Sequence, residues 1–508
     1  MKSYIVKIFR PTLLILLFSS CSSFLEENPK TFLSPNFYFN SEAQIEAAVN
    51  GLYTFLDDRF DATIGPGTQN YLFLEYLPGY ADRPYTSSSI DLNQAVNLNI
   101  KEDNYYIQAL WESHYKAIEN CNGVIEGMRD VTSEIINETN KNNFLGEAYF
   151  LRAHNYFHLV RLFGELPLKL TPTRDLSSAQ IELSSIDNIY TQIEKDLLTA
   201  DSLMVNNSWV SIEGRVARGA VKTLLTKVSL TMAGYPLQKG KEYYQKAYNY
   251  AKTVTASNKF YLFDDYSALR DVSNENSGEY IWMIQRQSQY AGSPIHFNLL
   301  PYPEPKNPIS SAGSYGGALA PSLAFYNSYL TGDRRIEEKG FYYTKHEALS
   351  NPSIIEEFPR PYIYKFWDNN GAKSGMSGKN YPLLTYTDLL LMLAEAKTAI
   401  DGGTTTDKDA IDAYFSIRKR AFPDEGIPSA ISTEDVLLER FWEICYEGQT
   451  WYDMLRTRKT LNATTRKIIN MIGYNAPSHP EGHPFKEEHL VFPYPLREKR
   501  LNPNLVRN

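Results

Sequence analysis

The sequence predicts a mainly α protein, built as a tetratricopeptide-like scaffold of helix pairs with long irregular loops. Two observations lead to this fold class. Apolar residues recur at three- and four-residue spacing along most of the chain, which is the period of an amphipathic helix. Small residues such as Ala148, Ala153 and Ala220 stand where paired helices would cross closely, as in helix-hairpin repeats of about 34 residues. Because the sequence shows no clean self-match at that period, any repeats are degenerate.

Capping and turn residues bound the predicted helices. The first helix begins at Ser41, where Gln44 completes a capping-box pattern. The clearest helix stops at Gly164 and Pro167, after a run whose aromatic and small residues share one face. In chain order, helices are predicted over residues 41–56, 110–128, 146–163, 186–203, 215–232, 243–254, 384–400, 409–420 and 434–459.

Two long segments without a helical period interrupt the scaffold, at residues 61–104 and 264–381. Loops of this length in a compact domain usually serve a function. The apolar run at residues 280–284 predicts a short strand in the second segment, and no large sheet is expected. Four tryptophans are predicted to be core residues: Trp111, Trp282, Trp442 and Trp451.

Composition narrows the class of protein. The 508 residues are 43% hydrophobic and 22% charged, as in an ordinary globular protein, and the net charge is −8. The mean hydropathy of −0.39 excludes a polytopic membrane protein. An acidic chain without clustered basic charge argues against non-specific nucleic-acid binding. The 37 tyrosines are unusual, and they suit a protein that displays aromatic faces at its surface.

The start of the chain is predicted to be a secretory leader. A positively charged beginning with no acid before Cys21 precedes an apolar run at residues 13–18, which is far shorter than the roughly 20 residues that span a bilayer. Residues 17–21 resemble a bacterial lipobox, in which the cysteine becomes the acylated N-terminus. We therefore predict a signal peptide over residues 1–20, lipidation at Cys21 and a lipidated tether over residues 21–35. The alternative is a plain secretory signal with an incidental cysteine.

Residue patterns that carry chemistry are sparse. The sequence holds no glycine-rich phosphate loop and no G-x-S-x-G nucleophile motif. His154 and His158 stand one helical turn apart and could ligate zinc, but Asn155 replaces the Glu of a metalloprotease helix, so packed histidines are favoured. For Cys121 and Cys445, buried free thiols are favoured over a disulfide. We predict no catalytic residue, no metal site and no enzyme activity.

Several runs of residues resemble the SusD/RagB family. The longest are a signature helix at residues 146–157 and the run Leu-Phe-Gly-Glu-Leu-Pro-Leu at residues 162–168. Thr450 and Arg507 depart from the family pattern, which commonly has Arg and Gln at these positions. Together with the leader, the similarity covers essentially the whole chain in order. Further matching runs are residues 391–396, 417–421, 439–443, 447–448, 451–456, 491–495 and 502–505, with a terminal Asn508.

The resemblance implies a lipid-anchored outer-membrane protein that faces the cell exterior. Such proteins capture oligosaccharides, or peptides in some relatives, and deliver them to a SusC-like TonB-dependent transporter. It implies no obligate cofactor, although some relatives bind calcium. Two alternatives stay open: a peptide-binding RagB-like member, and a non-binding helical scaffold for transporter assembly. The corresponding division is an N-terminal helical region at 36–260, a loop-rich ligand-binding segment at 261–380 and a C-terminal helical region with its tail at 381–508.

The resemblance also implies that the ligand site lies on the two long irregular segments. A neutral sugar needs flat aromatic faces for its C–H groups and carboxylate, amide or guanidinium partners for its hydroxyls. Tyr80 and Tyr85 could instead pin their loop to the scaffold, and Arg152 and Arg456 are predicted members of structural ion pairs. The candidate ligand-binding residues are Tyr80, Asp82, Arg83 and Tyr85 in the first segment, and Tyr290, His296, Asn298 and Tyr315 in the second.

Overall fold

The computed structural model describes residues 39–57, 70–84, 89–175, 180–290, 292–293, 295–312 and 317–506. The predicted signal peptide, the tether with Cys21, and the candidate residues Tyr85 and Tyr315 lie outside these ranges. Helix accounts for 47% of the described residues and strand for 12%, which confirms the mainly α fold class. Within the described residues, no helix is both long enough and apolar enough to cross a membrane.

The helices form the bulk of the molecule. Their positions agree with most of the predicted ranges, and the longer ones extend a few residues beyond them. In chain order they are α1 Glu42–Asp57, α2 Asn70–Tyr76, α3 Ile90–Val96, α4 Tyr105–Gly127, α5 Glu138–Phe163, α6 Ile186–Leu203, α7 Arg218–Ala233, α8 Lys241–Ala256, α9 Ile295–Asn298, α10 Leu323–Tyr326, α11 Asn369–Ser374, α12 Tyr386–Ile400, α13 Lys408–Ala421, α14 Thr433–Glu443, α15 Thr450–Thr457 and α16 Leu496–Leu501.

Consecutive long helices pack against one another from α4 through α8, and α12 packs on both α8 and α13. The contact between α5 and α6 is close at Gly146, because a β-carbon there would collide with the side chain of Met204. Arg152 of α5 donates two hydrogen bonds to Asp196 of α6, at 2.7 and 2.8 Å. Both side chains are buried, which confirms that Arg152 is a structural ion-pair member. These helix pairs are the scaffold that the sequence predicts.

One predicted helix is wrong. Residues 434–459 do not form a single helix, since α14 and α15 are separated by a tight turn. Tyr446 and Gly448 both have left-handed backbone angles, with φ of 62° and 67°, which a continuous right-handed helix cannot contain. The Gly448 amide leaves the helical ladder and donates to the Glu75 carboxylate at 2.6 Å. The chain therefore turns here and lies against α2.

The strands are short and pair two at a time. Each sheet in the described part of the chain has two antiparallel strands, and the predicted strand at 280–284 is present as β4, paired with β8. The pairs are β1–β5, β2–β3, β4–β8, β6–β7, β9–β10 and β11–β12. The strands are β1 Ala81–Asp82, β2 Leu166–Pro167, β3 Leu183–Ser184, β4 Tyr280–Ile284, β5 Ala320–Pro321, β6 Tyr342–Ala348, β7 Asn351–Ile363, β8 Tyr381–Thr385, β9 Thr404–Thr405, β10 Ile431–Ser432, β11 Lys459–Asn462 and β12 Lys467–Asn470.

One apolar core runs through the molecule, from Ile45 in α1 to Leu505 near the C-terminus. Cys121 and Cys445 are buried in it as free thiols, as favoured from the sequence. A second, smaller core lies within the segment at 264–381 and is rich in aromatic rings. The four predicted core tryptophans are all buried: Trp111, Trp282, Trp442 and Trp451.

Candidate functional site

The two irregular segments meet at a short antiparallel strand pair. β1 of the first segment pairs with β5 of the second, so that Ala81 lies opposite Pro321. The Ser322 amide extends the pairing by donating to the Tyr80 carbonyl at 2.8 Å. Candidate residues that are more than 200 positions apart in sequence therefore belong to one continuous loop region. The pairing brings residues 80–82 of the first segment beside residues 320–322 of the second.

Tyr80 is a structural residue of this region. Its side chain is only 4% exposed, and its ring packs 4.9 Å from that of Phe325. The hydroxyl donates to the Leu461 carbonyl at 2.9 Å and accepts from the Leu461 amide at 2.8 Å. These bonds tie the first segment to β11. They agree with the alternative that the sequence left open, in which Tyr80 pins its loop to the scaffold. The expectation that Tyr80 presents a ring to a ligand is corrected accordingly.

Asp82 and Arg83 hold the first segment in place. The Asp82 carboxylate pairs with Arg360 of β7 at 2.7 Å and accepts from the Ser478 hydroxyl at 2.6 Å. Arg83 donates to the side-chain carbonyl of Asn93, in the middle of α3. Both side chains are partly exposed, so each combines a structural contact with some access to solvent.

His296 and Asn298 lie beneath the surface, with exposed fractions of 4% and 6%. The His296 ring stands edge-on to Trp367 at 5.0 Å, and burial lowers its pKa to about 4, so the imidazole is neutral at physiological pH. The Asn298 carbonyl accepts from the amides of Ala318 and Leu319 at 3.1 and 3.2 Å. This corrects the expectation that the two residues face a ligand, because they support the second segment from inside.

Tyr290 is the candidate that the structure displays. Its side chain is 81% exposed, and its amide donates to the Gln287 carbonyl at 3.1 Å. The loop that carries it is held to the chain before β8, where the Ser293 amide donates to the Ser377 carbonyl at 2.7 Å. Beside Ser377, Met376 is 52% exposed, so apolar surface accompanies the tyrosine loop.

An aromatic cluster that the sequence analysis did not single out supports these loops. It consists of Tyr343, Tyr364 and Trp367 together with His346, and Trp367 lies at its centre. Ring centroids lie 5.3 Å apart for Tyr364 and Trp367, and 4.5 Å apart for His346 and Trp367. Such ring pairs add about 0.5–1.5 kcal/mol each beyond the burial of their area. In the sequence, the high density of aromatic residues between positions 341 and 367 could have indicated this cluster.

Tyr302 is a second displayed tyrosine that sequence reasoning missed. Its side chain is 39% exposed, and its carbonyl accepts from the buried Tyr362 hydroxyl at 2.9 Å. Gly317 packs directly on it, with a φ of +48° and no room for a β-carbon beside Tyr302. Only glycine combines this backbone angle with so close an approach.

The exposed side chains of the site offer surfaces for binding. Flat tyrosine rings at its edge can pack on apolar faces, while Asp82, Arg83 and backbone groups can exchange hydrogen bonds. In the part of the chain that the structure describes, no three His, Cys, Asp or Glu side chains converge as metal ligands.

Comparison with known proteins decides the family. A family model described as "Starch-binding associating with outer membrane" matches residues 23–230, and the SusD family model matches residues 335–508. A SusD superfamily protein from Parabacteroides distasonis has 32% sequence identity and a TM-score of 0.83, covering 92% of this chain and 98% of its own. The chain belongs to the SusD/RagB family. The helix-pair architecture is therefore the tetratricopeptide-like scaffold of SusD-superfamily proteins.

Two further proteins extend the comparison. SusD-like protein P2 of Formosa agariphila is 26% identical over 498 residues, which cover 89% of this chain and 91% of the relative. Surface glycan-binding protein A of Bacteroides thetaiotaomicron, solved with laminarihexaose, is 18% identical with a TM-score of 0.71, covering 92% of this chain and 99% of its own. At 18% identity, the similarity to surface glycan-binding protein A shows a shared fold and no more.

Proposed function

We propose that the protein is a cell-surface glycan-binding lipoprotein that captures oligosaccharides and delivers them to a SusC-like TonB-dependent transporter. The observation that carries this proposal is SusD/RagB membership across both halves of the chain, at 23–230 and 335–508. A structural neighbour solved with laminarihexaose supports a glycan as the ligand class. The protein binds its ligand and does not transform it.

The displayed tyrosines supply the recognition chemistry that a neutral glycan needs. A pyranose ring presents C–H faces that pack on flat aromatic rings, and Tyr290 and Tyr302 offer such faces at the loop surface. The Tyr290 loop is tied to the chain before β8, and the Tyr302 carbonyl accepts from the buried Tyr362 hydroxyl, so little ordering entropy is lost on binding. The proposed site therefore consists of Tyr290 and Tyr302, with Asp82 and Arg83 as polar partners.

Attachment to the outer membrane completes the proposal. Acylation at Cys21 with more than one chain would hold the protein durably at the surface, since a single acyl chain gives only marginal affinity. No helix in the described ranges could replace such an anchor by spanning the bilayer. Recovery of the protein together with a TonB-dependent transporter from membranes in mild detergent tests the partnership, and repeated recovery of the protein alone would contradict it.

A glycan panel tests the binding function. The purified protein is titrated with neutral β-glucan, xyloglucan, starch and mannan oligosaccharides, and with short peptides as a comparison class. We expect saturable binding to at least one glycan and an unchanged chain length of that glycan after prolonged incubation. Binding of peptides alone would support the peptide-binding alternative, binding of neither class would support a non-binding scaffold, and cleavage of the glycan would indicate an enzyme.

Paired tyrosine variants then test the site. Tyr290→Ala and Tyr302→Ala should each weaken binding of the best glycan at least fivefold, because each removes one ring face, a stacking contact of about 1 kcal/mol. Tyr235→Ala is the matched control for Tyr302, since Tyr235 is also 39% exposed and also precedes a proline, but lies between α7 and α8. Tyr261→Ala is the matched control for Tyr290→Ala, since the Tyr261 side chain is 60% exposed. Full affinity in both site variants would contradict the assignment.

A further inference from the structure

β7 bulges where it passes the loops of the proposed glycan site. Glu357 lies opposite Lys345 of β6, and Tyr362 lies opposite Tyr343. Two steps along β6 therefore correspond to five steps along β7, so that residues 358–361 stand outside the regular ladder. Bulges of this kind bend a strand and redirect its side chains, and they are common beside functional sites. This part of β7 is consequently free to contact other elements.

Arg360 lies within this bulge and contacts the joint, by which we mean the β1–β5 strand pair between the two irregular segments. Its neighbours Pro359 and Pro361 have no amide hydrogen to donate to the ladder, which favours the departure from β6. The Arg360 Nη2 donates to the Asp82 carboxylate of β1 at 2.7 Å and also to the Pro321 carbonyl of β5. One guanidinium nitrogen thus bonds both strands of the joint.

The joint is short, because β1 and β5 have two residues each. Strand pairs of this size are not stable alone, so side chains must help to hold them. The Asp82 carboxylate is the centre of these ties, since its Oδ2 accepts from Arg360 and its Oδ1 from the Ser478 hydroxyl at 2.6 Å. A carboxylate accepts up to about four hydrogen bonds, and the Asp82 side chain is 31% exposed. It therefore keeps acceptor capacity for the hydroxyl groups of a ligand.

The end of the same bulge holds the displayed ring of Tyr302. Tyr362 is 1% exposed, and its hydroxyl accepts from the Tyr302 amide at 3.3 Å and donates to the Tyr302 carbonyl at 2.9 Å. Gly317 packs directly on Tyr302. Three residues further along the chain, Ala320 lies opposite Asp82 in the joint. Since three residues span at most about 11 Å, one oligosaccharide can reach both the ring and the carboxylate.

We propose that Arg360 and Tyr362 are positioning residues of the glycan site, which hold the Asp82 carboxylate and the Tyr302 ring so that both contact one oligosaccharide. This inference rests on the proposed function and adds to it a role for the β7 bulge. Each positioning residue acts through the residue that it holds. A carboxylate held by two hydrogen bonds directs its free acceptor positions, so it also distinguishes sugars by the orientation of their hydroxyl groups.

A double-mutant cycle on the full chain tests the role of Arg360. Asp82→Asn should weaken binding of the best glycan about tenfold, because it replaces a charged acceptor. Arg360→Gln should weaken binding about fivefold in the otherwise unmodified protein, but less than about twofold in the Asp82→Asn background, because it acts through Asp82. Arg334→Gln is the matched control: Arg334 also pairs with an aspartate, Asp265, but outside the joint, and its loss should leave glycan affinity unchanged.

Tyr362→Phe applies the same test to the ring. The variant keeps the buried ring and loses the hydroxyl, so it should weaken binding about threefold where Tyr302 is present and add no loss in the Tyr302→Ala background. No loss in the unmodified background, or equal losses in both backgrounds of either cycle, would show an effect on the fold alone and overturn the positioning role. Absence of any glycan binding by the unmodified protein would contradict the proposed function, and the positioning role with it.

A crystal structure of the unmodified protein with the best glycan keeps the test independent of whether the variants fold. We expect a sugar hydroxyl within about 3.2 Å of an Asp82 oxygen while the bonds from Arg360 and Ser478 persist, and a sugar ring of the same ligand on Tyr302. A bound glycan that leaves Asp82 without a sugar contact overturns the proposal, even where the glycan lies on the loop surface.

Discussion

Arg335 is a fully buried cation on which three carboxylates converge. Its side chain is 0% exposed, and its guanidinium lies 2.8 Å from Asp333, 2.7 Å from Glu439 and 2.9 Å from Glu443. Removing one partner of such a network leaves desolvated charges without compensation. The adjacent Arg334 differs only in its surroundings, since its side chain is 35% exposed.

These neighbouring arginines should respond very differently to the same substitution. Arg335→Met is expected to lower the free energy of unfolding by about 3–5 kcal/mol, as measured by urea unfolding. Arg334→Met is expected to lower it by less than about 1 kcal/mol, because a solvated ion pair contributes little. Equal effects in the two variants would show that the buried network does not have the assigned role.

Glu75 gives the fold a pH dependence. Burial raises the pKa of this carboxyl to about 7, against the opposing effects of the Gly448 amide and the Lys365 charge. A raised native pKa means that the folded state holds the proton more tightly than the unfolded state, so stability falls as pH rises between the ordinary value and 7. A shift of this size corresponds to up to about 3 kcal/mol.

The variant Glu75→Gln should remove this component while keeping an acceptor for the Gly448 amide. The free energy of unfolding of the variant minus that of the unmodified protein should therefore be about 2–3 kcal/mol larger at pH 8 than at pH 5. Urea titrations at the two pH values measure the difference. A pH profile that is unchanged by the substitution would mean that Glu75 does not titrate in this range.

At the residue scale, prediction from sequence succeeded where a helix fixes side-chain direction. Arg152 and Arg456 were predicted to form ion pairs, and Arg456 does so with Glu395 and Asp453. In the irregular segments no period relates one residue to the next, so the sequence could not tell that Tyr80 faces inward while Tyr290 faces solvent. Loop composition predicted the region, and the fold separates its buried candidates from its exposed ones.

At the element scale, the break between α14 and α15 is the feature that sequence periodicity concealed. Apolar residues continue through positions 444–446, so the helical pattern has no visible gap. The turn depends on Gly448, whose φ of +67° is rarely adopted by residues with a side chain. Helices with clear caps, such as α6, were predicted to the residue, because Ser185 marks the beginning.

Two glycine substitutions test this interpretation of the turn. Gly448→Ala should lower the free energy of unfolding by about 1–2 kcal/mol, because alanine is strained at that backbone angle. Gly123→Ala should raise it by about 0.5–1 kcal/mol, since Gly123 lies within α4 and has no atom within 4 Å of an added β-carbon. Chemical denaturation measures both. The two substitutions should change the free energy of unfolding in opposite directions. A Gly448→Ala variant with unchanged stability would contradict a strained turn.

The hairpin β6–β7 also escaped prediction, although short strands were expected in its segment. The outer half of β7 is exposed on both faces from Asn351 to Ile355, so it lacks the alternation that marks a half-buried strand. Its register depends on pairing with β6 across a turn. The β6–β7 hairpin is therefore defined by tertiary contacts, and the local sequence pattern does not predict it.

At the scale of the whole molecule, lipid attachment is the first property to test. Cys21→Ser should move the protein from the detergent phase to the aqueous phase, because the variant lacks the cysteine that would carry the acyl chains. Cys121→Ala is the control, since this buried thiol of α4 should leave partitioning unchanged. Mass spectrometry of the N-terminus identifies the acyl chains. A Cys21→Ser protein that stays membrane-bound without its transporter would contradict the anchor.

The central claim is that the joined loops of the two irregular segments bind a glycan. The most direct measurement is a crystal structure of the protein with the best oligosaccharide from the panel. The account predicts a sugar ring packed on Tyr290 or Tyr302, above the aromatic cluster of Tyr343, Tyr364, Trp367 and His346. A glycan bound on the helical scaffold, with both tyrosines untouched, would contradict it.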